Sequence, residues 1–258
     1  MDRHIPFEAL HNFRDLGAYP TTDGHRVRPG RLYRTDSLGK LSEGTADWSR
    51  FRSLGIGTVI DLRYPWEIEN NGRIPDHPSF TYHNLSIEHR PYNQAALAPD
   101  VDPGPYLAER YMEVAQDGTK EIRSALELVA KAAESNTPLA FHCASGKDRT
   151  GLLAALVLGL LGVPEPTIIE DFTLTERAAP ALLADWKLRN NGRAPTWLGF
   201  GRAPAAALRL FLADLTSRYG SIEGYVSEAL SLDPRALSTA LRSALLEKRR
   251  ERPRNSQE

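Results

Sequence analysis

The sequence predicts an α/β protein in which a central sheet of about four to five strands is flanked by helices. Two short apolar runs, residues 57–63 and 138–141, have the length and composition of buried strands. Segments with helical periodicity alternate with such runs, as they do in α/β folds. Residues 152–163 are apolar on nearly all faces and end at Pro164, which is typical of a helix buried against a sheet.

The composition is that of a soluble globular protein. The chain has 258 residues, of which 41% are hydrophobic and 25% charged, so we expect a single domain over residues 1–258. A net charge of −1 provides no global field to attract nucleic acid, and no nucleic-acid partner is expected. The longest apolar run is shorter than the roughly 20 residues that span a bilayer, so we expect no transmembrane segment.

Cysteine usage and the first residues predict the compartment. One cysteine permits no internal disulfide, which fits a reducing environment. The opening residues, Met-Asp-Arg-His-Ile-Pro, contain no apolar segment of a secretory signal. We therefore expect a cytoplasmic protein, and the sequence leaves open export by a route that needs no signal peptide.

The N-terminal third predicts a hairpin, a helix and a strand. Residues 11–19 and 31–38 alternate between apolar and polar around a glycine turn, which is typical of two paired strands. Apolar residues at helical spacing predict a helix over residues 45–54, closed by a glycine. The β-branched run 57–63 is the next predicted strand.

The charged residues near these strands have two interpretations. Arg14 and Asp15 are expected to form a salt-bridged surface. Asp171, much further along the chain, could face the loop of residues 142–151, although most such acids are surface charges. Arg34 is a weaker candidate for a functional residue.

The middle of the chain predicts one more strand and a long loop. Residues 80–87 alternate as a strand does. Residues 88–105 contain four prolines and little periodicity, so we expect a surface loop, of a length that is uncommon unless it is functional. His89 and Arg90 could therefore face a substrate, although solvated charges are the default. Helices are expected over residues 106–115 and from Thr119 onward.

The C-terminal part predicts helices only. One should follow Pro164, short helices should cover residues 178–186 and 195–201, and another should carry the apolar stripe of residues 208–215. A last helix should begin at Pro234. Residues 247–258 are mixed in charge and are expected to form a solvated helix end and charged tail.

Residues 142–151, His-Cys-Ala-Ser-Gly-Lys-Asp-Arg-Thr-Gly, join the predicted strand at residues 138–141 to the predicted buried helix. Backbone N–H groups that converge at a helix N-terminus form an anion-binding site. A cysteine at the head of such a loop, close to Arg149, is favoured as the thiolate, so Cys143 is predicted to be a nucleophile. The guanidinium of Arg149 can bind two oxygens of a tetrahedral anion as a planar fork.

This loop has two other interpretations. Cys143 could be a small buried hydrophobe and Lys147 a solvated charge, but the cysteine, arginine and glycines together in a strand–helix setting favour catalysis. A nucleotide-binding loop is excluded, because Asp148 stands where serine or threonine would hold magnesium.

The pattern His-Cys-x5-Arg-Thr-Gly resembles the signature of the cysteine-dependent protein tyrosine phosphatase superfamily. The inner residues 146–151 resemble its bacterial tyrosine and dual-specificity branch, which has phosphoinositide-active members. Residues 12–17, 31–36 and 218–225 are also similar to that branch, so the resemblance covers most of the chain. It implies a cysteine-phosphatase-like fold with a helical lid insertion at about residues 178–205.

The resemblance implies a metal-independent phosphomonoester hydrolase with a phosphocysteine intermediate and inorganic phosphate as product. Cys143 would attack phosphorus while the loop and Arg149 hold the oxygens. The residues expected to bind substrate are Ala144, Ser145, Gly146, Lys147, Asp148 and Arg149.

The general acid is open between two carboxyls. The resemblance assigns it to Asp61, whose alternative role is an ion pair with Arg63 or Arg73. Asp148 is the rival. His142 is expected to orient the loop, and Thr150 to hydrogen-bond the Cys143 thiolate.

Lys147 adds a second positive charge at the expected rim of the loop, which suits substrates with extra phosphates. We therefore expect phosphotyrosine proteins as substrates, with activity on phosphoinositides as well; phosphoinositides as the main substrates are the alternative. No cofactor or metal is expected, because the seven histidines show no paired ligand spacing. A non-catalytic phosphate-binding module and a sulfurtransferase are the alternatives from other classes.

Overall fold

The structure, a computed structural model, describes residues 3–248 and consists of two sheets and their flanking helices. The strands are β1 (Arg14–Asp15), β2 (His25–Val27), β3 (Leu32–Thr35), β4 (Thr58–Asp61), β5 (Thr81–Asn84), β6 (Leu139–His142) and β7 (Leu246–Lys248). The main sheet has five strands in the order β1-β3-β6-β4-β5. All its pairs are parallel except β1 with β3. The predicted α/β class and strand number are confirmed.

Ten α-helices occur in the described part of the chain. They are α1 (Ala46–Ser53), α2 (Pro65–Asn71), α3 (Pro103–Asp117), α4 (Thr119–Glu134), α5 (Asp148–Leu160), α6 (Glu165–Thr173), α7 (Ala179–Arg189), α8 (Ala205–Tyr219), α9 (Ile222–Glu228) and α10 (Pro234–Leu245). Side-chain caps set several starts: the Asp233 carboxylate, for example, accepts the N–H groups of Arg235 and Ala236. Within residues 3–248, none of the helices is long and apolar enough to cross a membrane.

Both faces of the main sheet are covered by apolar side chains. Phe141 and Ile60 lie in the larger core cluster, while their neighbours Ala140 and Val59 lie in the smaller one on the other face. This alternation follows from the two-residue repeat of a strand and is typical of parallel sheets with two buried faces. Residues 150–158 of α5 are all buried, as the sequence predicted.

The register places three strand ends beside each other. Thr35 of β3 and Asp61 of β4 both pair with His142 at the end of β6. The carboxyl ends of parallel strands are the edge where α/β proteins place their chemistry. The residue after His142 is Cys143, so the predicted nucleophile lies at this edge.

Three predictions of local structure were wrong. Residues 195–201 form turns instead of a helix, because this segment bonds to the loop before α3: Thr196 N–H donates to Ala95 O, and Trp197 Nε1 donates to Val101 O at 2.8 Å. Glu247 and Lys248 form part of β7, which pairs with β2, instead of a solvated helix end. The rest of the predicted tail, residues 249–258, lies outside the described residues.

The third correction concerns α5, which begins at Asp148, four residues before the apolar run. The polar residues of the loop motif had hidden this first turn. Its consequence is that Asp148 and Arg149 are fixed on a helix, with the N–H groups of the first turn close by.

Candidate active site

The loop between β6 and α5 is held open by hydrogen bonds to its carbonyl groups. Ala144 O accepts the Ser37 N–H at 3.0 Å, Ser145 O accepts Asn12 Nδ2 at 2.9 Å, and Gly146 O accepts Arg34 Nη2 at 2.8 Å. In a planar trans peptide the N–H points away from the carbonyl, so the following N–H groups turn to the opposite side, into the loop. Such converging N–H groups form a cradle for an anion.

Gly146 is required by the shape of this loop. Its φ is +69°, and a Cβ atom there would lie 2.4 Å from the carbonyl oxygen of Thr35. Only glycine tolerates both the left-handed conformation and this approach to the end of β3.

A buried ion cluster supports the loop from behind. Asp171 accepts Arg14 Nε at 3.0 Å and Arg34 Nη1 at 2.6 Å, and all three side chains are buried. Although burial opposes its ionisation, Arg14 and Arg34 lower the pKa of Asp171 to about 2. The expectation that Arg14 and Asp171 lie on the surface was therefore wrong, while Asp15 is half-buried and accepts two backbone N–H groups. Arg34 connects this cluster to Gly146.

Cys143 lies at the bottom of the loop and is only 1% exposed. His142 Nδ1 is 3.1 Å from the Cys143 carbonyl oxygen, so this nitrogen donates and fixes the imidazole beside the loop. The Thr150 hydroxyl is buried and has no hydrogen-bond partner among the described residues, Cys143 included. The bond from Thr150 to the sulfur thus stays a prediction.

Arg149 is held by two glutamates that the sequence did not single out. Glu67, in the first turn of α2, accepts Nη1 at 2.5 Å and Nη2 at 3.0 Å. Glu88, just after β5, lies with Oε2 3.3 Å from Arg149 Nε. The Arg149 guanidinium also lies over the Tyr64 ring, with Cζ 5.5 Å from its centre. Glu88 follows a predicted strand at the carboxyl edge of the sheet, which was its one signal in the sequence; Glu67 had none.

Asp148 and Lys147 bind parts of the chain other than those that hold Arg149. Asp148 Oδ1 accepts the Tyr111 hydroxyl at 2.6 Å, and Gln94 Nε2 is 3.4 Å from Oδ2. Lys147 Nζ donates to Arg202 O at 3.0 Å and lies 3.5 Å from Asp148. Lys147 is 1% exposed, so in this structure it lies beneath the segment that carries Arg202 and not at an exposed rim.

Asp61 is locked into the alternative role that the sequence left open. Arg63 Nη2 and Nε lie 2.7 and 2.9 Å from its two oxygens, and the Tyr82 hydroxyl donates to it at 2.9 Å. Burial opposes its ionisation, but His142 and Arg63 lower the pKa of Asp61 to about 2. The other suggested partner, Arg73, binds Asp76 instead. Asp61 is 0% exposed and enclosed by these partners, so it has no access to the leaving oxygen of a substrate, which argues against Asp61 as the general acid.

A cavity of about 560 Å³ has among its lining residues His89 and the two residues Tyr64 and Glu88 that contact Arg149. His89 and Arg90 form exposed ion pairs with Glu121 and Asp117. The structure thus gives Arg90 the default role of a solvated charge and places His89 on the wall of the cavity. In residues 3–248, no group of three or more His, Cys, Asp and Glu side chains is arranged to hold a metal ion.

Comparisons with known proteins identify the family to which the chain is similar. A model described as the tyrosine phosphatase family matches residues 5–247. A Cupriavidus necator protein provisionally named tyrosine-protein phosphatase is 30% identical over 251 residues, covering 90% of this chain and 86% of the relative. The triple specificity protein phosphatase PtpB of Mycobacterium tuberculosis is 30% identical over 258 residues, covering 84% of this chain and 91% of the relative. Among solved structures, TpbA of P. aeruginosa matches at 18% identity with a TM-score of 0.35, over 76% of this chain and 96% of that chain; this likeness is too distant to inform the mechanism.

Proposed function

We propose a reaction from the premise that this chain belongs to the tyrosine phosphatase family. The chain hydrolyses phosphomonoesters, with phosphotyrosine in proteins as its principal substrate, by a metal-independent route through a phosphocysteine. The observation that carries this proposal is the loop itself: Cys143 lies at its base, its carbonyls are held outward, and Arg149 is fixed at its mouth. Family membership favours this activity over a sulfurtransferase or a non-catalytic phosphate-binding module.

The reaction has two steps. In the first, Cys143 Sγ attacks phosphorus, an S–P bond forms, and the P–O bond to the leaving group breaks while the leaving oxygen takes a proton from an acid. In the second, water attacks phosphorus and loses a proton to the same group, the S–P bond breaks, and inorganic phosphate and the Cys143 thiolate are released. Charge builds on the three equatorial oxygens, and the loop N–H groups and Arg149 stabilise that charge.

The general acid in this proposal is Asp148. It lies in the first turn of α5, on the loop that binds the phosphoryl group, and 17% of its side chain is exposed and accessible to a substrate. Asp61 is instead enclosed and paired with Arg63. The Tyr111 hydroxyl and Gln94 hold the Asp148 carboxyl in place.

Replacing Asp148 with asparagine should lower kcat for phenyl phosphate by about 10²- to 10⁴-fold, the usual contribution of a positioned acid. A substrate with a good leaving group, such as p-nitrophenyl phosphate, should lose much less, because its oxygen departs without a proton. The measurement is a series of kcat values against leaving-group pKa for wild type and variant.

Asp61→Asn is the matched control for this series. It removes a carboxylate from a buried ion pair, so it should lower the unfolding temperature and reduce activity equally for all leaving groups. A leaving-group dependence in Asp61→Asn and none in Asp148→Asn would return the role of the acid to Asp61.

Lys147 supports a finer proposal about substrates, namely that phosphoinositides are hydrolysed as well. Its ammonium group donates to the Arg202 carbonyl and lies 3.5 Å from Asp148, so a second phosphate of a substrate could replace the bond to Arg202. The relative PtpB is named a triple specificity phosphatase.

Lys147→Ala should lower kcat/KM for an inositol lipid with two phosphates about tenfold more than for a phosphotyrosine peptide, the effect of one lost charge contact of roughly 1.4 kcal/mol. Lys131→Ala, which removes an exposed cation from the last turn of α4, is the control and should affect both substrates equally. Equal losses in Lys147→Ala would leave the phosphotyrosine activity standing and remove the basis for the lipid activity.

A further inference from the structure

Glu88 occupies an unusual position for a carboxylate. It is 7% exposed and lies beside the catalytic loop, with Oε2 3.3 Å from Arg149 Nε. A buried carboxylate at a site for dianions would repel the substrate. Its presence there needs an explanation that the two reaction steps do not supply.

The two glutamates use different edges of the Arg149 guanidinium. Glu67 takes Nη1 and Nη2 together, and Nη1 is also 3.5 Å from Leu62 O. The edge formed by Nε and the remaining hydrogen of Nη2 is therefore the one left to grip a phosphoryl group through two parallel hydrogen bonds. Glu88 lies on that edge.

We propose that Glu88 is a displaceable placeholder, which holds the substrate edge of Arg149 in the empty site and takes up a proton when a phosphoryl dianion displaces it. This inference rests on the proposed function, because it assumes that the loop and Arg149 bind the phosphoryl group. Glu88 is in this sense a positioning residue. It keeps the guanidinium oriented before substrate arrives and stops repelling the dianion once it is neutral.

The charges around Glu88 support the exchange. Burial raises the pKa of Glu88 to about 7; Arg149 opposes this rise, while Asp148 and Glu67 add to it. Tyr64 at the start of α2 and Tyr92 in its own loop lie close enough for their ionisation to be opposed by Glu88. Across the cavity, Lys120 and the His89–Glu121 pair complete the charged groups on that side.

The two glutamates differ in their response. Burial opposes the ionisation of Glu67, but its bonds with Arg149 lower its pKa, so Glu67 stays ionised and keeps its hold. Glu88 loses its contact with Arg149 when the dianion binds and then faces one more negative charge. Its pKa must rise on binding, because both changes disfavour the carboxylate.

The sign of the pH effect follows from linkage. Below pH 7 Glu88 is already protonated in the empty site, so binding takes up no proton and the affinity is independent of pH. Above pH 7 the empty site holds a carboxylate, binding takes up a proton, and the affinity falls by up to about tenfold per pH unit. In alkaline solution without substrate, the Glu88 carboxylate would thus occupy the edge of Arg149 that binds the phosphoryl group.

Tungstate binding tests this inference. Tungstate remains a dianion between pH 6 and about pH 8.5, and a Cys143→Ser background removes the titration of the thiol, so proton uptake reports on the protein's other groups. Calorimetry in two buffers of different ionisation enthalpy measures the protons taken up. We expect uptake approaching one proton at pH 8 and a Kd about fivefold higher at pH 8 than at pH 7, because half of the Glu88 side chains are already ionised at pH 7.

Glu88→Gln in the same background should bind tungstate with little proton uptake and less than about a twofold change in Kd over this range. Glu121→Gln, a carboxylate of the same cavity that pairs with His89, is the matched control and should retain the uptake. Glu88→Ala serves if the glutamine variant does not fold.

The outcomes distinguish failure of the proposed function from failure of the role proposed for Glu88. Failure of the Cys143→Ser protein to bind tungstate would refute the proposed function. Tungstate binding without proton uptake in that protein, or unchanged uptake in a folded Glu88 variant, would overturn the role of Glu88 while the proposed function stands.

Discussion

Replacing Cys143 with serine should abolish phosphatase activity, with a loss of kcat of about 10⁴-fold or more, while the affinity for tungstate is retained. A serine hydroxyl is a far poorer nucleophile than a thiolate, and the adjacent His142 is not placed to activate it: its Nδ1 donates to the backbone, and its Nε2 lies 3.6 Å from Asp61. The loop N–H groups and Arg149 do not depend on the sulfur, so they should still bind the anion. The measurement combines turnover of p-nitrophenyl phosphate with tungstate calorimetry.

Tungstate binding by the Cys143→Ser variant is also the control for its loss of activity. A rise in unfolding temperature on addition of tungstate shows that the variant is folded and that its loop is intact. Residual turnover near the wild-type rate in a folded Cys143→Ser protein would refute covalent catalysis by this residue. A rapid-quench experiment with wild type should trap one phosphate per chain on sulfur.

Arg149→Lys should lower kcat/KM by about 10³-fold, which corresponds to roughly 4 kcal/mol of transition-state stabilisation. The charge is preserved, so a purely electrostatic role would predict a small effect. The large effect is expected because an ammonium group cannot bind Glu67 with one edge and two phosphoryl oxygens with the other. The measurement is kcat/KM for a phosphotyrosine peptide, together with the Kd for tungstate.

Arg90→Lys is the matched control, since Arg90 is 67% exposed and pairs with Asp117. It should leave kcat/KM within about twofold of wild type, as expected for a surface ion pair. Activity within tenfold of wild type in Arg149→Lys would show that the geometry of the guanidinium does not matter and would contradict the forked arrangement.

The features that could be predicted from sequence are those written in consecutive residues. Apolar runs identified β4, β6 and the buried part of α5, because strand and helix periodicities are local. The loop between β6 and α5 could be recognised as a candidate catalytic loop for the same reason, since its cysteine and arginine are six positions apart. The helix predicted over residues 45–54 likewise matched α1, in which the Thr45 side chain accepts the Trp48 N–H.

The features that could not be predicted connect distant parts of the chain. Arg14 and Asp171 are 157 positions apart, and the default of a surface charge was wrong because Arg34 and Tyr19 complete a buried cluster around Asp171. Glu67 reaches Arg149 across 82 positions. No local pattern distinguishes such carboxylates from the many that face solvent. The cationic partner that stabilises a buried carboxylate is set by the tertiary fold.

The same limit explains why the sequence could not decide between Asp61 and Asp148 as the general acid. Asp61 ends a strand at the correct edge of the sheet, which is a valid signal for a functional residue. The sequence could not show that Arg63 and Tyr82 would enclose it, nor that Tyr111 would hold Asp148 beside the loop.

The chain contains a single thiol, and it lies at the base of the phosphate loop. Alkylation with a maleimide or iodoacetamide can therefore modify sulfur at one position only, so the moles of label incorporated count active sites directly. A fluorophore or spin label introduced elsewhere would need an added cysteine, and tungstate could shield the native one during that coupling. Partial alkylation should reduce turnover in strict proportion to the label bound.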